Sequence, residues 1–76
     1  MFKKGFLVRE KIETWFTHHP PAPDQIPQYE RIRAAAKVFA MVIVDNTPAS
    51  ADQTAAIRKV REAVMTANAA IACGGR

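Results

Sequence analysis

The sequence predicts an all-α protein: a short N-terminal helix, then an antiparallel two-helix hairpin that associates with copies of itself. Three observations predict it. Apolar residues recur at spacings of three and four in two long stretches. One compact breaker cluster, Asp45-Asn46-Thr47-Pro48, separates them. The run Ala34–Val44, AAAKVFAMVIV, has Lys37 as its only polar residue. A helix that is apolar all round must be covered all round, and one partner helix covers a single stripe.

Residues 1–17 mix basic and apolar side chains. Ile12, Trp15 and Phe16 have helical spacing, so a short helix is expected over Lys11–Thr17. Residues 18–23, HHPPAP, cannot continue it. Three prolines remove backbone donors and disfavour the helical conformation in the residue before each. Residues 1–23 thus form a short helix and a stiff proline-rich arm, and residues 24–76 form the hairpin.

The first long helix is expected over about residues 25–46. Asp24 is a good N-cap, and Pro27 falls in the first turn, where a missing N–H costs little. Its seam is Tyr29, Ile32, Ala36, Phe39 and Ile43, a heptad-like repeat. The second helix is expected over about residues 51–73. Ser50 and Gln53 make a capping box at its start. Its seam is Ile57, Val60, Val64, Ala67 and Ile71, and Gly74-Gly75 ends it. Each helix is about 30–35 Å long, and the short connection makes them antiparallel neighbours. Alanine, the best helix former, is abundant in both. A second apolar stripe on the first helix, Ala34, Val38 and Met41, is the candidate surface between subunits.

Composition agrees. A chain of 76 residues makes one small domain with a marginal core, which disulfides, metals or association usually supplement. Cys73 is the only cysteine, so no disulfide forms within the monomer. The soft ligands are Cys73 and the adjacent pair His18-His19, a poor basis for a metal site. Association remains. A lone cysteine fits a reducing compartment. No stretch has the charged start, apolar run and cleavage site of a signal peptide. Ala34–Val44 falls short of the roughly 20 apolar residues that span a bilayer. The expectation is a cytoplasmic protein without a membrane partner. The net charge of +4 favours an anionic partner without choosing one.

Catalysis has little support. There is no nucleophile elbow, phosphate-cradling glycine loop or pair of histidines at metal spacing, and no cofactor is expected. His18 and His19 have no carboxylate in the local sequence to orient them, so loop histidines are the simpler reading. Cys73 reads as an inert residue at a helix end. Binding has more support. Arg33 and Lys37 lie one turn apart on one face, whereas Arg31 points elsewhere. A guanidinium beside an ammonium holds a phosphate by charge-assisted bonds. Such a pair is more often a solvated face. Here it borders the apolar zone, close in sequence to Phe16-Thr17-His18-His19, whose rings could stack on a base while the cations clamp its phosphate. Arg58, Lys59, Arg61 and Glu62 read as a solvated charged patch, and Asn68 as a hydrogen-bonding group in helix packing.

The stretch FTHHPPAPDQIPQYERIRAAAK, a turn containing Thr-Pro, and REAVMTANAAIA together resemble the phage anti-CBASS cyclic-nucleotide sponges, whose helical hairpin also occurs in anti-Thoeris sponges. The resemblance covers roughly residues 15–73. Phe-Thr-x-His-x-Pro in the arm, Tyr-x-x-Ile-Arg opening the first long helix and Glu-Ala-Val-Met-x-Ala-Asn-Ala near the end are specific in combination. The resemblance implies a short helix plus hairpin assembled as a homohexamer. It implies binding of cyclic dinucleotides such as cyclic GMP-AMP between protomers, with cyclic trinucleotides at separate sites in some members. It implies sequestration without cleavage, so that a bacterial immune effector loses its messenger. On that footing His18 takes the position of a base-stacking tyrosine, Arg33 contacts a phosphate, Tyr29 supports the pocket or seam, and His19 and Pro20 shape the arm. Two other readings use the same residues: a small basic nucleic-acid-binding protein, and a helical module that docks onto another protein. The sponge reading expects no DNA partner.

Overall fold

The computed structural model describes residues 6–76. Three helices follow in order: α1 (Phe6–Trp15), α2 (Ile26–Asn46) and α3 (Ala51–Ala72), with no strand among the described residues. α1 begins five residues before the expected Lys11 and ends before Phe16. The amide of Phe16 still bonds the Ile12 carbonyl at 3.0 Å, and the Thr17 hydroxyl bonds the Glu13 carbonyl, so the last turn closes before the histidines.

α2 does not start at an Asp24 cap. Its N-cap is Gln25, in helical conformation, whose side chain makes no capping bond. Asp24 is consumed by the preceding turn, which the Gln25 amide closes onto the Ala22 carbonyl at 2.9 Å. At the far end Asn46 Nδ2 donates to the Val42 carbonyl at 2.8 Å and the Thr47 hydroxyl to that of Ile43 at 2.6 Å. Both satisfy carbonyls that a helix end leaves orphaned.

Ser50 caps α3 by accepting from the Gln53 amide at 3.1 Å. The reciprocal half of the capping box is replaced. Gln53 Nε2 crosses the turn to the Thr47 carbonyl and hydroxyl, both at 3.1 Å, and to the Val44 carbonyl at 3.4 Å. One glutamine thus joins the end of α2 to the start of α3. At the other end Gly75 donates to Ala70 at 3.0 Å and Gly74 to Ile71 at 3.2 Å. These are the two bonds of a Schellman ending, and Gly74 supplies the left-handed residue with φ of 61°.

α2 and α3 pack along one another. On α3 all five expected seam residues are half-buried. On α2 the half-buried set is Tyr29, Ile32, Ala36, Ala40 and Ile43. Phe39, expected in the seam, is 57% exposed. A seven-residue step falls about 20° short of two full turns. That sets Phe39 at the edge of the stripe, where its ring leans out and Ala40 fills the contact.

Among the described residues Cys73 alone is buried. The radius of gyration is 16.6 Å, against about 11 Å for a compact chain of this length. The accessible surface is 6530 Å² for 8.4 kDa, whereas a compact monomer of that mass exposes about 4,600 Å². The surplus of about 1,900 Å² exceeds twice the ~800 Å² that each partner gives to a standard interface. Val38 and Met41 of the outer stripe are 64% and 56% exposed.

Candidate ligand site

The arm is tied to the hairpin at one end of the molecule, where α1 stops, α2 starts and α3 ends. Trp15 Nε1 donates to the Arg76 carbonyl at 3.0 Å. The Thr14 carbonyl meets His19 Nε2 at 2.7 Å and lies 3.9 Å from the Cys73 thiol. Gln25 Oε1 accepts from the Ala22 amide at 2.9 Å, and Gln25 Nε2 donates to the Ile71 carbonyl at 3.2 Å. Trp15, Thr14 and Gln25 carry most of this junction, and none of them was singled out from sequence as a site residue. Their partners at the C-terminal end of the hairpin lie 46 to 61 residues away, beyond any local pattern.

The arm presents its rings unequally. Phe16 is 83% exposed. His18 is exposed as well. His19 is half-buried and its Nε2 is engaged with Thr14, so it fixes the arm's path. Tyr29 is half-buried in the seam at the first turn of α2.

Arg33 and Lys37 are both exposed. Arg33 stands about 10 Å along the axis from Ile26, in the half of the hairpin that carries the arm. Helical periodicity puts Arg33 and Lys37 on the flank opposite to Ala35 and Phe39. Ala35 and Phe39 line an apolar groove of about 630 Å³ beside the seam, together with Ala56, Lys59, Val60 and Ala63. The same periodicity sets Arg61 and Asn68 of α3 on the cationic flank. Asn68 Oδ1 is buried there without a hydrogen-bond partner. The hairpin therefore has one apolar flank and one cationic flank, and the charged patch of α3 divides between them.

The described residues contain no group of histidine, cysteine, aspartate and glutamate that could hold a metal ion. No described helix is long and apolar enough to cross a membrane. Exposed rings and exposed cations are both groups that can hold a ligand offering flat bases and phosphates.

The family model described as Acb2/Tad1, hairpin domain, matches residues 9–72. That span runs from α1 through the arm and both long helices to the last residue of α3. No curated protein and no solved structure matches the chain.

Proposed function

The chain belongs to the Acb2/Tad1 hairpin family, that of the anti-CBASS and anti-Thoeris sponges, and from that premise we propose that it sequesters cyclic oligonucleotide second messengers without cleaving them. The match over residues 9–72 carries the reading. Cyclic dinucleotides such as cyclic GMP-AMP are the proposed principal ligands, with cyclic trinucleotides as a second class, and the effect is to silence CBASS immunity in the host cytoplasm. The protein acts as a binder and not an enzyme. Residues 24–76 form the hairpin domain, and of the expected N-terminal part, residues 1–23, the helix and arm over 6–23 complete its site, while residues 1–5 lie outside the described residues.

His18 and Phe16 stack on bases, and Arg33 with Lys37 holds phosphate. Tyr29 supports the site from the seam, and His19 holds the arm's path. Stacking is worth about 1–3 kcal/mol per base, and charge-assisted contacts to phosphate are about twice as strong as neutral ones. Phe16, His18, Arg33 and Lys37 are exposed in the protomer, so burial of the ligand falls to neighbouring copies in a homohexamer. The surplus of exposed surface supports association. Alanine-rich helices that are rigid before binding keep the ordering cost low.

A capture-and-release experiment tests this. The protein is incubated with a panel of cyclic di- and trinucleotides and removed by ultrafiltration. The filtrate is chromatographed, and then the material released from the denatured protein. Depletion followed by recovery of the intact nucleotide is the expected result. Absence of depletion across the panel rejects the sponge reading, and recovery of a linear product rejects binding without cleavage.

A further inference from the structure

We propose that Gln25 is the positioning residue of the ligand-binding arm, the single side chain that fixes the proline run to the body of the hairpin. The inference rests on the sponge reading above. Between Pro20 and Pro23 only Ala22 has a backbone N–H, because the other three residues are prolines. That one donor is taken by Gln25 Oε1 at 2.9 Å. The Gln25 amide returns a bond to the Ala22 carbonyl at 2.9 Å, closing a ring around the turn. The other half of the side-chain amide donates to the Ile71 carbonyl on α3 at 3.2 Å. Gln25 is half-buried, and both polar atoms of its side chain are used.

The consequence is leverage. A proline-rich segment extends by about 3.1 Å per residue, which sets His18 about 12 Å from Ala22. A swing of ~10° about Ala22 moves a ring at that distance by ~2 Å, well beyond the ~0.5 Å tolerance of a productive constellation. The arm's other fixing point, His19 on Thr14, attaches it to α1. α1 in turn meets the end of the chain only through the Trp15 bond and the Cys73 contact among the hydrogen bonds described. Gln25 is the direct link from arm to hairpin.

Gln25→Glu separates the two halves of the link. The carboxylate still accepts from Ala22 but cannot donate to Ile71. It also sets a negative charge at the C-terminal end of α3, where the helix dipole is unfavourable. Calorimetric titration with cyclic GMP-AMP is expected to show affinity reduced by about tenfold or more relative to wild type, a lost hydrogen bond with added repulsion. The sedimentation mass and the amide-exchange protection of α2 and α3 stay unchanged, while the Ala22 amide exchanges faster. Protonation restores the donor. The ratio of variant to wild-type affinity should therefore recover as pH falls toward the ordinary glutamate range near about 4.3. Wild-type affinity in the variant at neutral pH overturns the inference and leaves the sponge reading standing. Loss of affinity together with a changed mass or hairpin protection also overturns it, because Gln25 would then act through the fold as a whole. A wild-type protein that binds no nucleotide of the panel removes both.

Discussion

Replacing Val38 by glutamate tests the association of copies at its most exposed point. Val38 lies on the outer stripe of α2, opposite the seam, and is 64% exposed in the protomer. Fully burying a valine side chain is worth about 1.5–3 kcal/mol, so covering the remaining two-thirds is worth about 1–2 kcal/mol. A carboxylate at the same place must be desolvated or protonated, which costs several kcal/mol more. The two effects sum to about 4 kcal/mol or more per contact, roughly a thousandfold in a dissociation constant. If the stripe meets its own copy across a two-fold axis, the substitution enters the interface twice. Sedimentation velocity is the assay, with Gln28→Glu as the control, since Gln28 is an exposed polar residue of the same helix. The expected outcome is smaller species for Val38→Glu and wild-type mass for the control. A wild-type mass for Val38→Glu across a dilution series to the nanomolar range would refute the assignment of this stripe as an interface.

Arg33→Glu is expected to abolish nucleotide depletion while the sedimentation mass stays that of wild type; retention of wild-type affinity would move the phosphate contact elsewhere. Gly74→Ala is expected to cost about 1–2 kcal/mol, because φ of 61° is left-handed and an added Cβ meets nothing within 4 Å that could contribute. The readout is the midpoint of a urea titration, and an unshifted midpoint would show that the Schellman ending is dispensable. Ser50→Ala removes the acceptor for the Gln53 amide and is expected to cost about 1 kcal/mol. A loss many times larger would mean that the turn depends on Ser50 beyond its cap.

The features legible in the sequence were those with a local period. The seam of α3 is half-buried residue for residue, because an apolar repeat at three and four has one way to face a partner helix. The Gly74 ending and the Ser50 cap follow from residues within five positions of each other. Phe39 was misplaced because a heptad approximates the turn of an α-helix without matching it. Asp24 lost its capping role because Gln25 closes the preceding turn onto Ala22, a choice between neighbours that propensity does not decide. Within the candidate site, Phe16, His18, Arg33 and Lys37 are exposed, a property that solvated and ligand-binding side chains share and that does not separate the two. What propensity could not reveal is the clasp of Trp15, Thr14 and Gln25 on the end of α3. Each of those bonds spans most of the hairpin, so only the folded chain brings its partners together.

If copies complete the native state as proposed, the near absence of buried side chains among the described residues makes folding a concentration-dependent event. A chain whose native state is completed by its copies has a folded fraction that follows mass action, and its melting temperature rises with the amount present. At low abundance such a chain spends much of its time open to proteolysis; once copies are plentiful each shields the others. A binder that works by stoichiometry is useful only in quantity, so on the proposed function the feature that denies the single chain a core would also tie its survival to the copy number at which it becomes effective.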